Sequence, residues 1–126
     1  MEDGPLIALA EDNPQLRALL AMALESVGYR VLQAETGERL VDLVRGLLLD
    51  GEPLRLIITD VRMPTLGGLE AARILQEAGH SVPLIFMTAF GDAWTRSQAQ
   101  GLGARLLDKP LSLSVLRRAV TETIAP

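Results

Sequence analysis

At 126 residues with 48% hydrophobic but only 3% aromatic side chains, the chain suffices for one domain with a core of Leu, Val, Ile and Ala. Its formal charge of −4 excludes a general attraction to nucleic acid or anionic membrane, and its lack of cysteine excludes disulfides and thiolate metal sites. No apolar run approaches the roughly 20 residues that span a bilayer, and the acidic start Met1-Glu2-Asp3-Gly4-Pro5 lacks the basic region of a signal peptide, so a cytoplasmic location is expected.

Along the chain, short apolar runs alternate with amphipathic stretches. Leu6 to Ala10 reads as a buried strand. Asn13-Pro14 supplies a helix cap and first-turn proline, Leu16, Leu19, Leu20, Ala23, Leu24 and Val27 share one helical face, and Gly28 closes that helix. Tyr29 to Ala34 is a second strand. A helix over 36–49 turns Leu40, Leu43, Val44, Leu47 and Leu48 inward, and Asp50-Gly51-Glu52-Pro53 is a turn. Leu54 to Thr59 is the third strand, whose run Leu56-Ile57-Ile58 lacks alternation, as expected when both sheet faces are covered. Pro64 to Gly68 reads as a loop, and a helix is expected from about Leu66 to Ala78. Val82 to Thr88 is the fourth strand, Asp92 to Gly101 a polar helix, and Arg105 to Leu107 a short fifth strand. Ser112 caps a last helix with Leu116, Ala119, Val120 and Ile124 inward.

Five strands alternating with five helices predict an α/β fold, a doubly wound parallel sheet of order 2-1-3-4-5 in a single domain over 1–126. Ligands of such sheets bind beyond the carboxyl ends of the strands, where strand order reverses. Glu11 and Asp12 follow the first strand, Asp60 follows the third, Thr88 ends the fourth, and Lys109-Pro110 follows the fifth. Three carboxylates therefore converge. Two like charges 4 Å apart repel by about 4 kcal/mol at an effective dielectric of 20, so the cluster must take up protons or bind a cation. Lys109 and one divalent ion balance it, and hard oxygen ligands point to Mg2+, with Mn2+ as a substitute.

Together Glu11-Asp12-Asn13-Pro14, Thr59-Asp60-Val61-Arg62-Met63-Pro64 with Gly68, Met87-Thr88-Ala89, and Gly103-Ala104 through Asp108-Lys109-Pro110 resemble the receiver domain of two-component response regulators over essentially the whole chain. The resemblance implies that Asp60 accepts a phosphoryl group from the phosphohistidine of a histidine kinase or phosphotransfer protein. Asp12, Asp60 and the backbone carbonyl of Arg62 would hold Mg2+, with Glu11 assisting. Thr88 and Lys109 would contact the phosphoryl oxygens, and Lys109-Pro110 is a candidate cis peptide. The fourth helix, fifth strand and last helix would form the output surface and a possible homodimer contact. Such a receiver promotes its own phosphorylation and dephosphorylation but is no turnover enzyme, and it binds neither nucleic acid nor membrane itself.

The pattern departs from the family at Leu106, where receivers usually carry Tyr or Phe three residues before the site lysine; a leucine has no ring to swing, which implies a modified or weakened switch. Arg62 and Phe90 occupy positions that tune hydrolysis in the family, and their bulk implies a slow loss of the phosphoryl group. Plainer readings stand beside these. Asp60 alone reads as a strand-end cap, Glu11-Asp12 as helix-end acids, Thr88 as a β-former and Lys109 as a surface lysine. Gly67 and Gly68 read as loop geometry, His80 as solvated, Arg117-Arg118 as a solvated face, and Trp94 as half-buried, with a partner-facing role as the alternative. Three rival functions remain: an aspartyl-phosphate phosphatase, against which Arg62 stands where a second carboxylate is wanted; a flavodoxin-like cofactor binder, whose phosphate Glu11-Asp12 would repel; and a receiver-shaped interaction module that is never phosphorylated. The chain reads either as a stand-alone receiver or as the N-terminal piece of a longer regulator.

Overall fold

The computed structural model describes residues 4–124; the acidic start at Met1-Glu2-Asp3 and the chain end at Ala125-Pro126 lie outside the described residues. The elements alternate as β1(Leu6–Ala10), α1(Pro14–Glu25), β2(Arg30–Ala34), α2(Gly37–Leu49), β3(Leu54–Asp60), α3(Gly68–Glu77), β4(Leu84–Thr88), α4(Ala93–Gly101), β5(Arg105–Asp108) and α5(Leu113–Ile124). All strand pairs are parallel and the order is β2-β1-β3-β4-β5, as the alternation predicts. The chain crosses the sheet between β2 and β3, so β1 and β3 flank the crevice at the reversal point.

Side chains alternate across the sheet. Ile7, Leu9, Leu56, Ile58, Ile85 and Met87 join Leu20, Leu24, Leu116 and Val120 under α1 and α5. Ala8, Ala10, Ile57 and Phe86 join Leu40, Val44, Leu69, Leu75 and Ala99 under α2, α3 and α4. With both faces covered, β1 and β4 are buried from end to end. The helix starts are fixed by side-chain caps: Asn13 accepts from Leu16 N at 2.9 Å, Thr36 from Arg39 N at 3.1 Å and Asp92 from Thr95 N at 2.8 Å.

Several side-chain expectations are corrected. Leu19 and Val27 are exposed, because α1 rests on the narrower stripe Leu20, Ala21, Ala23 and Leu24. Leu48 is exposed and Leu47 only half-buried, since α2 turns Leu40, Val41 and Val44 to the sheet, while Leu43 packs against that core as expected. Trp94 is exposed rather than half-buried: α4 buries only Thr95 and Ala99. His80 is half-buried rather than fully solvated, beside Arg45, Leu48 and Leu49 in a shallow groove.

Gly68 begins α3 where the helix meets the end of β3. A Cβ there would collide with the Asp60 carbonyl and stand 2.8 Å from Thr59 Oγ1, so only glycine lets α3 approach the strand this closely. Gly46, inside α2, has open space around the same position. Gly68→Ala should therefore destabilise the fold by about 1–3 kcal/mol, whereas Gly46→Ala should stabilise it by about 0.5–1 kcal/mol, both read from urea-unfolding midpoints.

Candidate functional site

Parallel pairing brings the expected residues to one end of the sheet. Ala10 pairs with Thr59 across β1 and β3, so Glu11 and Asp60, one residue further on each, are neighbours. Asp60 pairs with Met87 and Thr88 with Asp108, which places Thr88 and Lys109 next to them. The peptide N of Lys109 donates to Thr88 O at 2.7 Å, closing the strand end, and the Lys109–Pro110 bond is cis.

Lys109 Nζ donates to Glu11 Oε1 at 2.7 Å and to Asp60 Oδ2 at 2.6 Å. Glu11 and Asp60 are 1% and 6% exposed, so both carboxylates depend on these hydrogen bonds. Their other oxygens accept backbone donors, Asn13 N on Glu11 Oε2 at 3.0 Å and Arg62 N on Asp60 Oδ1 at 3.2 Å. Asp12 is exposed at the rim of the same cluster, and one carboxylate oxygen each of Glu11, Asp12 and Asp60 lies within 4.8 Å of the others.

The charges of the cluster do not balance. Lys109 offsets one of three negatives. Lost solvation would lower the Lys109 pKa, but the hydrogen bonds and charges of Asp60 and Glu11 outweigh it and raise the pKa above 10.5. With its carboxylate partners ionised, the Lys109 charge therefore stabilises the fold fully below pH 10.5, and that contribution is lost as pH climbs through the higher folded-state value. Asp12 behaves oppositely. Lost solvation first, then hydrogen bonding to Glu11 and the Glu11 charge, raise it above its usual 3.8, and Lys109 only partly offsets them. Ionised Asp12 thus costs stability at neutral pH, and that cost disappears only on acidification. A hard divalent cation fits this set: the donors are all oxygen, they surround one point, and their uncompensated charge is what such an ion neutralises.

The remaining positions surround this cluster. Thr88 is 1% exposed, and its Oγ1 accepts from Phe90 N at 3.0 Å, which leaves the hydroxyl hydrogen available as a donor. Phe90 is exposed, with the Arg62 guanidinium 5.0 Å from its ring centroid, a cation–π stack the sequence reading did not find. Leu106 is half-buried, pairs with Phe86 across β4 and β5, and packs on the α2–α4 side of the core.

Comparison with known proteins places this arrangement. The response regulator receiver domain model matches residues 7–121. The chain belongs to the response regulator receiver family. This receiver is 32% identical over 108 residues to the response regulator receiver protein CpdR of Brucella abortus, covering 85% of this chain and 86% of that one. It is 36% identical over 117 residues to the sensor protein EvgS of Escherichia coli K12, covering 92% of this chain but 9% of the sensor. It also spans only 52% of the response regulator RR06 of Streptococcus pneumoniae. The fold of a CheY-like receiver domain from Methanospirillum hungatei superposes with a TM-score of 0.86 at 19% identity, over 97% of this chain and 94% of that one. Among the described residues, no helix is long and apolar enough to cross a membrane.

The acidic cluster sets two expectations. Saturating Mg2+ should raise Tm, a free-energy gain of about 2.7 kcal/mol at a hundredfold excess over Kd. Asp12→Asn should abolish most of that rise, yet in EDTA at neutral pH melt slightly above the parent, by under about 1 kcal/mol for so exposed a group. Thermal melts of both proteins, with and without the ion, check these outcomes.

Proposed function

We propose that this receiver takes a phosphoryl group onto Asp60 from the phosphohistidine of a histidine kinase or phosphotransfer protein and relays that state through the surface of α4, β5 and α5. The observation that carries the reading is Lys109 Nζ held between Glu11 and Asp60, with Asp12 beside them, at the reversal point of the sheet. A carboxylate oxygen of Asp60 attacks phosphorus, the P–N bond breaks, and the imidazole nitrogen leaves with the electron pair. Phosphoryl transfer asks mainly for positioning and charge neutralisation. Lys109 meets the transferred oxygens with its ammonium, and Thr88 donates its hydroxyl hydrogen. Glu11, Asp12, Asp60 and the Arg62 carbonyl would hold Mg2+, which supplies the remaining countercharge when bound.

The names of the relatives support the partner: they include sensor proteins and response regulators. The domain is read as one receiver unit that switches partners and turns over no substrate, in the cytoplasm; homodimerisation through α4, β5 and α5 is part of the same reading. Arg62, two residues after Asp60, stacks on Phe90, two residues after Thr88, and the bulk of this pair supports slow hydrolysis of the acyl phosphate. Leu106 favours a second reading, an interaction module that is never phosphorylated, because no aromatic ring reports the state of Thr88.

Incubation with acetyl phosphate and Mg2+, followed by intact mass spectrometry, decides between them. The expected result is the added mass of one phosphoryl group, absent in Asp60→Asn and in EDTA; an unmodified chain selects the second reading. In the phosphorylated protein, Phe90→Ala should shorten the lifetime severalfold, and an unchanged lifetime removes the role of Phe90 in slowing hydrolysis. Leu106→Tyr should alter the difference in partner affinity between the two states, and an unchanged difference removes the switch role of that position.

A further inference from the structure

One guanidinium outside the acidic cluster joins the two segments that carry Thr88 and Lys109. Arg96 lies in the first turn of α4. Its Nε donates to Gly91 O at 2.9 Å, and its Nη2 donates to Asp108 Oδ1 at 3.0 Å and Oδ2 at 2.9 Å. Gly91 belongs to the loop that follows Thr88; Asp108 is the register partner of Thr88 and immediately precedes Lys109. We infer that Arg96 is a positioning residue for the phosphoryl site proposed above, fixing the Thr88 hydroxyl relative to Lys109 by tying Gly91 to Asp108.

The connection runs through named atoms. Phe90 N donates to Thr88 Oγ1 at 3.0 Å, so the path of the loop sets which way the Thr88 hydroxyl hydrogen points. Gly91, the next residue, is held by Arg96. On the other side, Lys109 N is bound to Thr88 O at 2.7 Å, and Arg96 holds Asp108, the residue before it. A Cβ on Gly91 would meet Asp108 Oδ1 and stand 2.6 Å from Arg96 Nη2, so both side chains would have to shift to admit it. The Arg96 and Asp108 side chains are 52% and 57% exposed, so the ion pair contributes little to stability. What it does contribute is geometry, since a planar guanidinium meets a carbonyl and both oxygens of a carboxylate at once, which an ammonium point charge does not.

This inference rests on the phosphoryl-transfer reading, and the test separates the two. Parent, Arg96→Gln, Arg96→Lys and Gly91→Ala proteins are phosphorylated with saturating acetyl phosphate and Mg2+ and followed by intact mass. Mg2+ affinity is measured by calorimetry and Tm by melting. Displacements of a fraction of an ångström to about 1 Å at a reacting group cost roughly tenfold to a hundredfold in rate. All three variants should therefore react about tenfold more slowly, with Mg2+ affinity and Tm close to the parent, because the acidic cluster does not touch Arg96. Arg96→Lys, which keeps the charge, should fail to rescue the rate. A parent that gains no phosphoryl group overturns the underlying reading and this inference with it. A parent that reacts, with Arg96→Gln or Arg96→Lys reacting at the parent rate, overturns the inference alone. So does a loss of rate matched by an equal loss of Mg2+ affinity, which marks collapse of the site rather than misalignment.

Discussion

The Lys109 ammonium between the Glu11 and Asp60 carboxylates is the interaction on which the site depends. Two carboxylates this deeply buried need a countercharge within hydrogen-bond distance, because an unpaired buried charge costs several kcal/mol. Lys109 supplies it from a residue 98 positions away from Glu11 and 49 from Asp60. A contact so remote in sequence forms only after the parallel sheet has aligned the ends of β1, β3 and β5. Sheet order and site chemistry are thus one constraint: a slip in register would separate the lysine from both partners.

The sheet tolerates that cluster because its apolar content is strongest where the charges are not. β1 and β4 are fully buried, and β3 is buried from Leu56 to Asp60. The strands are covered on both faces and leave only their ends for polar groups, so the carboxylates project where helix starts and loops provide donors. Asn13 N and Arg62 N meet the second oxygens of Glu11 and Asp60 in this way. Asp12, at the rim of the cluster, holds its proton more tightly than usual through lost solvation first and then the hydrogen bond and charge of Glu11.

What the sequence reveals follows from the range of the interactions. Strand and helix order, the Asn13 cap, and the strand-end residues are legible because periodicity, capping chemistry and the strand-end rule act over a few residues. The depth of each helix in its groove is not. Leu19 matches the 3.6-residue period as well as Leu20 does, yet α1 sits so that only the latter is buried. Trp94 is misread for the same reason, since an aromatic ring on a polar helix carries no sign of which side the helix turns inward. The ties of Arg96 to Gly91 and Asp108, and of Arg62 to Phe90, leave no pattern at all. They join single long side chains across loops and become visible only when the loop backbones are placed.

These ties lie on the side of the molecule that is held least firmly. The Glu11, Asp60 and Lys109 cluster grips the β1 and β3 ends through buried ion pairs, whereas α4 anchors itself with only Thr95 and Ala99. Ala89 and Phe90 in the preceding loop are exposed. Segments with little buried surface open at low free-energy cost, so the loop after Thr88 yields more readily than the strands. Leu106, half-buried against Phe86 on the neighbouring strand, has no polar atom with which to follow such a movement. In this chain the polar contacts between the Thr88 loop, α4 and the end of β5 run through Arg96, which lies on α4 and holds both Gly91 and Asp108.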